Sequence, residues 1–400
     1  MAKASGILFC GGGTGGHVWP GLAVAACLRD RGETDLRWVG DPARIEAKLV
    51  PAAGIALLPW GLSRPRPFSP RWIFATIRTA LTLWRTMADR PPRAVVALGG
   101  YAALLPGLLA PLLRRPLLVM EQNARSGRTN RLLGRFATAI VTQFAEAADG
   151  LPEQRVRRLG NPVRPIRCRD RGGAPQLTVL VVGGSLAATT LNDLAVHAAP
   201  SLAGVPGLHL IHIAGTADRE RLAAAYAAAG VAAEVLDFVA DMPALYDRID
   251  LAVTRAGATT VAELCAAGIG ALYVPLPWAA DDHQTANAAA VTRIGGAEIL
   301  PQATTTPEQL AARILRYASD RAAVTGLGRK AASLAVPGAA DAVADLVDRL
   351  ARGRTSGKAA TRARFRHFGD PHRPSAAERR ARARSTRVAP APLRQPRDHR

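Results

Sequence analysis

A chain of 400 residues exceeds what one ordinary hydrophobic core holds and implies two domains of roughly 150–200 residues each. With 48% hydrophobic and 21% charged residues its composition is globular, and no stretch reaches the ~18 consecutive apolar residues that a membrane-spanning helix needs. The net charge of +21 is concentrated at the end: residues 351–400 carry 15 Lys and Arg against 3 Asp and Glu, too polar to bury a core, so this part is read as a disordered basic tail.

The remainder alternates strand and helix twice over. In the first half, apolar strands are expected at Ile7–Cys10, Leu36–Val39, Ala94–Leu98, Leu117–Met120 and Ala139–Thr142, with helices near 22–31, 43–53, 72–89, 102–114 and 127–136. In the second half, strands are expected at Leu177–Val182, His209–Ala214, Val235–Phe238, Leu251–Thr254 and Ala271–Val274. Helices there fall near 187–203, 217–229, 242–248, 258–267 and 283–294. Such alternation implies α/β architecture with parallel sheets and right-handed crossovers. The two halves join near Gly160-Asn161-Pro162-Val163-Arg164, giving domains at 1–162 and 163–337. A helix at 338–352 is expected to return to the first domain, ahead of the tail at 353–400. The cleft between the lobes is the default ligand site. Four cysteines without a CxxC pair read as reduced core thiols, and the N-terminus shows no secretory leader pattern, so a cytosolic setting is expected.

Glycine turns stand at the carboxyl ends of three strands: Gly11-Gly12-Gly13-Thr14-Gly15-Gly16-His17, Gly99-Gly100-Tyr101 and Gly183-Gly184-Ser185. Strand, glycine turn and helix present backbone N–H groups and a positive helix end to an anion. Open α/β sheets bind ligands at that edge. The spacing Gly11-x-Gly13-x-x-Gly16, with Asp41 after the second strand, also fits a dinucleotide fingerprint. Nothing beyond the first turn supports a dehydrogenase. His17 places an imidazole that titrates near neutrality at the mouth of the first turn.

Further along stand Glu121-Gln122-Asn123-Ala124 with Thr129-Asn130, then Arg255-Ala256-Gly257-Ala258-Thr259-Thr260-Val261-Ala262-Glu263, then His283-Gln284 followed by Asn287-Ala288. Together with the glycine turns and Gly160–Arg164, in this order, they resemble the MurG-type N-acetylglucosaminyltransferase family of peptidoglycan synthesis, over about residues 6 to 345. The resemblance implies the GT-B fold, two Rossmann-like doubly wound domains facing a cleft. It implies inverting transfer of N-acetylglucosamine from UDP-N-acetylglucosamine to the muramyl 4-hydroxyl of polyprenyl-linked lipid I, giving lipid II. It also implies no cofactor and no active-site metal, and a peripheral position on the cytoplasmic face of an anionic inner membrane. Other cell-wall synthesis proteins are possible partners, and nucleic acid is not expected. The alternatives are a diverged paralogue acting on another lipid or metabolite, and a non-catalytic partner in cell-wall assembly.

Against that chemistry, Arg164 is the candidate for the departing diphosphate, with Thr14, Gly15, Gly16 and Ser185 adding hydroxyl and backbone donors. Glu263 is placed to accept the ribose hydroxyls. Ala258, Thr259, Thr260, Val261 and Ala262 open its helix toward the phosphates, and the backbone near Val239 would read uracil. Gln284 and Asn287, at i and i+3, share a helix face and are candidates for the donor sugar, with Asn123 a further sugar or acceptor contact. His17 is the candidate general base and Glu121 its rival. Asp281-Asp282 reads as a solvated helix start. Trp72, Ile73, Ile77 and Trp84, flanked by arginines, suit either a core-facing helix or a membrane contact. The family's usual Gln and Gly after Ser185 are replaced by Leu186 and Ala187.

Overall fold

In a computed structural model, residues 5–59, 69–168, 176–184 and 188–353 are described. The basic tail and Ser185 lie outside the described residues. The first sheet is built from β1 (Ile7–Cys10), β2 (Leu36–Gly40), β3 (Ala56–Pro59), β4 (Ala94–Ala97), β5 (Leu117–Glu121), β6 (Ala139–Thr142) and β7 (Val156–Arg158). All strands are parallel, in the order β3-β2-β1-β4-β5-β6-β7. Between them run α1 (Gly15–Asp30), α2 (Glu46–Ala52), α3 (Pro70–Asp89), α4 (Tyr101–Leu112) and α5 (Arg128–Gly134).

The second sheet contains β8 (Leu177–Val182), β9 (Leu208–Ile213), β10 (Ala233–Leu236), β11 (Leu251–Thr254), β12 (Gly270–Tyr273) and β13 (Ala297–Ile299). It too is parallel, ordered β10-β9-β8-β11-β12-β13. Its helices are α6 (Ala188–Ala198), α7 (Arg219–Ala228), α8 (Met242–Tyr246), α9 (Ala258–Ala267) and α10 (His283–Arg293), followed by α11 (Pro307–Ser319), α12 (Arg321–Ala332) and α13 (Ala339–Ala351). The order of strands reverses between β1 and β4 and between β8 and β11, the points where an open sheet leaves a crevice for a ligand.

The central strands are buried on both faces, as their unbroken apolar runs require. Three strands escaped the sequence reading, β3, β7 and β13, and all three are sheet edges. Each is only three or four residues long, and most of their side chains are at least partly exposed, so no apolar run marks them. The first helix starts at Gly15, seven residues before the expected start, because the glycine turn itself winds into it. Pro20 inside α1 has no N–H, so the carbonyl of Gly16 gets no bond from it.

α13 packs on the first sheet's helices: Val343, Ala344, Val347 and Leu350 share one buried cluster with Val24, Ala25 and Leu28 of α1. Arg31 pairs with Asp341 at 3.0 Å and Asp345 at 2.8 Å across the same contact. The chain therefore crosses between the lobes twice, near 160 and again before 339. The crossings touch: a Cβ at Gly160, whose φ is +82°, would come within 2.5 Å of the Val336 Cβ.

Candidate active site

Turn one is held from behind by a carboxylate that the sequence reading missed. Glu46, fully buried at the start of α2, accepts the Gly13 N–H on both oxygens (3.1 and 3.0 Å) and the Asp41 N–H at 3.0 Å. A Cβ on Gly12 would collide with it at 2.0 Å, which is why a glycine stands there. The missed signal was an acid just after the second strand, in the region where a dinucleotide site would place its ribose ligand.

His17 follows on the first turn of α1. Its Nδ1 lies 3.2 Å from the Gly12 carbonyl and 3.3 Å from Thr14 Oγ1. A carbonyl only accepts, so Nδ1 carries the proton and Nε2 keeps its lone pair. Nε2 faces Gly99, where a Cβ would sit 3.2 Å away. Burial lowers the His17 pKa below its ordinary value, against the opposing pull of Glu121 and of the Gly12 carbonyl. The ring is therefore neutral near pH 7.

Glu121 has a different surrounding from that of a base. It is 2% exposed and already accepts four bonds: the Asn123 N–H (2.9 Å) and Asn123 Nδ2 (3.2 Å) on one oxygen, the Gly127 N–H and Asn130 Nδ2 (both 2.9 Å) on the other. Both oxygens are occupied by the loop they organise. Asn123, so held, accepts from Asn287 Nδ2 at 3.1 Å. Asn287 is fully buried; its Oδ1 takes the Ala124 N–H (2.7 Å) and its Nδ2 also reaches the Ala256 carbonyl (3.0 Å). The Asn287 amide thus bridges the two lobes in this structure, through Ala124 and Asn123 of the first and Ala256 of the second. Gln284, one turn earlier, accepts from the Leu276 N–H at 3.0 Å.

The remaining expected residues converge around α9. Arg164 Nη2 donates to Glu263 Oε1 at 3.1 Å, Nη1 donates to the Ala240 carbonyl at 3.2 Å, and its guanidinium lies 4.6 Å from the Trp19 ring centroid. The segment at Val239, expected from sequence to read uracil, thus adjoins Arg164 through Ala240. Tyr246, unassigned from sequence, donates to Glu263 Oε2 at 3.0 Å. Burial and the nearby Glu263 hold its phenol well above its ordinary pKa, so it stays a donor. Thr259 Oγ1 donates to the Gly16 carbonyl at 3.2 Å, the one that Pro20 leaves without its intrahelical bond. Ala258, Thr259 and Thr260 form the first turn of α9, where N–H groups point out of the helix end. Asp281 is corrected too: it is not solvated alone but pairs with Arg128 (3.3 Å) and Arg131 (3.7 Å) of the other lobe.

On α3 the apolar stripe faces outward. Ile73, Phe74, Ile77, Leu81 and Trp84 are 40–69% exposed, with Arg71, Arg78 and Arg85 also exposed. Leu83 and Met87 form its buried face. Trp72 departs from expectation: it is half-buried and off the outward stripe, whereas Phe74, at 69% exposure, leads it. No helix among the described residues is long and apolar enough to cross a membrane.

The glycosyltransferase family 28 N-terminal domain matches residues 7–142 and its C-terminal domain residues 178–348. A protein of Aeromonas hydrophila subsp. hydrophila is 42% identical over 357 residues, covering 87% of this chain and 98% of that relative. It is named UDP-N-acetylglucosamine--N-acetylmuramyl-(pentapeptide) pyrophosphoryl-undecaprenol N-acetylglucosamine transferase. The chain belongs to the MurG family. A relative from Bordetella parapertussis bearing the same name is 42% identical over 88% of this chain and 99% of its own. The crystal structure of Acinetobacter baumannii MurG superposes with a TM-score of 0.73 at 34% identity, covering 86% of this chain and 99% of that one. The calicheamicin glycosyltransferase CalG4, at 17% identity and a TM-score of 0.62, shares the fold. The two doubly wound sheets are thus the GT-B fold of MurG enzymes, and the chain is a UDP-N-acetylglucosamine-dependent transferase of that kind.

Proposed function

We propose that this chain transfers N-acetylglucosamine from UDP-N-acetylglucosamine to the muramyl 4-hydroxyl of lipid I at the cytoplasmic face of the membrane, with His17 as the base. The observation that carries the reading is the pairing of a neutral His17 on the first glycine turn with the Arg164–Glu263–Tyr246 cluster on the second lobe, the two lobes being joined by the Thr259–Gly16 contact. The acceptor oxygen attacks the anomeric carbon from the face opposite the diphosphate. The bond to the diphosphate breaks, UDP departs with that electron pair, and the hydroxyl proton passes to His17 Nε2, inverting the sugar. Glu263 accepts the ribose hydroxyls, exchanging its bond to Arg164, and Arg164 turns to the diphosphate beside the first turn of α9. No cofactor enters these steps. Glu121 positions the Asn123 loop instead of taking the proton. The outward stripe of α3, beside its arginines, lies on the anionic membrane that carries the polyprenyl acceptor.

The test is transfer of labelled N-acetylglucosamine to a lipid I analogue by the purified chain. Labelled lipid product confirms donor and acceptor together. UDP binding without transfer would reject lipid I as the acceptor.

A further inference from the structure

Arg164 is held from three sides. Nη2 donates to Glu263 Oε1 at 3.1 Å, Nη1 donates to the Ala240 carbonyl at 3.2 Å, and the guanidinium carbon lies 4.6 Å from the Trp19 ring centroid. Glu263 and Ala240 belong to the second lobe, whereas the ring belongs to the first. Helical spacing brings it there. Gly16 and Trp19 stand three apart on α1 and share a face, and Thr259 fixes that face to the start of α9 by donating to the Gly16 carbonyl. The Trp19 side chain leans back toward the start of its own helix, as helical side chains do. A Cβ at residue 15 would lie 3.3 Å from its Cδ1, so the glycine there leaves the ring its room. An aromatic face attracts a guanidinium, more strongly as water is excluded, and the Arg164 side chain is only 21% exposed.

We propose that Trp19 is a positioning residue for Arg164: it keeps the guanidinium at Glu263, so that a ring of the first lobe sets the donor affinity of the second. The inference rests on the reading of Glu263 as the ribose acceptor and Arg164 as the diphosphate ligand. For the donor to bind, ribose hydroxyls displace Arg164 from Glu263 and the guanidinium leaves the ring for the diphosphate. The ring stabilises the starting arrangement alone, and whatever stabilises that arrangement lowers the apparent affinity for the donor.

The experiment titrates UDP into the parent chain, Trp19→Leu, Trp19→Phe, Arg164→Met and the Trp19→Leu/Arg164→Met double variant by calorimetry, with tryptophan emission recorded alongside. Trp19→Leu is expected to bind UDP about two- to fivefold more tightly than the parent. Trp19→Phe, with a weaker aromatic face, falls between them. In the Arg164→Met background, Trp19→Leu changes nothing, which a merely structural role of the ring would not produce. Emission changes on UDP addition by more in the parent than in Trp19→Phe, because the cation leaves the ring. Unchanged or weaker UDP binding by Trp19→Leu overturns the proposal, as does a gain that persists without Arg164, or an emission change equal in parent and Trp19→Phe. Should Trp19→Leu not fold, Trp19→Phe decides in the same direction. Arg164→Met binding UDP as tightly as the parent would reject the diphosphate reading itself. Weakened binding by Arg164→Met beside an unaltered Trp19→Leu would reject the role of Trp19 alone.

Discussion

The His17 ring is only partly exposed and its desolvation lowers its pKa, which sets the pH behaviour expected of the reaction. A base with a lowered pKa stays competent as the pH falls past the ordinary histidine value. The acid limb of kcat is therefore expected below pH ~6.5, and an acid limb above it would reject His17 as the base. His17→Ala should lower kcat by roughly 10²–10⁴-fold with UDP affinity unchanged. Glu263→Ala should do the reverse at the binding step, weakening UDP by tenfold or more, about what a pair of charge-assisted hydrogen bonds supplies. Calorimetric titration with UDP separates the two variants. A second histidine acts on stability instead. His212 is fully buried between Tyr226 (2.8 Å) and Asn192 (3.0 Å), and burial pushes its pKa down to about 4. Below pH ~6.5 the unfolded chain takes up a proton that the folded one refuses, so stability falls from there and levels off near pH 4, a loss of about 3 kcal/mol. Urea unfolding across that range should show this slope in the parent chain and lack it in His212→Gln.

Among the elements, α3 shows how far the sequence could be read. The spacing of Ile73, Ile77, Leu81 and Trp84 marks a helix stripe. Periodicity alone cannot say whether a stripe faces a core or a surface, because both need the same spacing. The side that is actually buried, around Leu83 and Met87, decides it. Replacing Phe74 and Ile77 with Ser should weaken binding to anionic liposomes and leave UDP affinity and melting temperature unchanged; a fall in melting temperature would mean the stripe packs against protein. The central strands were legible as apolar runs because both of their faces are covered. The edge strands were not, since a half-exposed strand of three residues has no pattern to read. The glycine turns were legible as chemistry, but their support was not. Glu46 and Tyr246 come from distant segments, and no local spacing brings Glu46 to Gly13 or Tyr246 to Glu263.

At the scale of the whole molecule, the lobes meet through apolar and polar groups together: Ala124, Phe144 and Ala147 join the second lobe's buried cluster, and a buried amide and a surface charge pair add to it. Asn287→Ala would leave the Ala124 N–H, the Ala256 carbonyl and the Asn123 amide oxygen short of a partner. A loss of about 2–4 kcal/mol is expected, seen as a lower melting temperature. Asp281→Ala removes a pair whose Arg128 side is 84% exposed; it should cost no more than about 1 kcal/mol. Equal losses in the two variants would mean that the buried amide is no better a join than the surface charge pair. The chain is also stitched together elsewhere. Its two passages between the lobes run against each other at Gly160 and Val336. Because they touch, each passage sets the course of the other. Gly160→Ala would meet Val336 and strain a left-handed backbone at once, so that one added methyl disturbs both passages together.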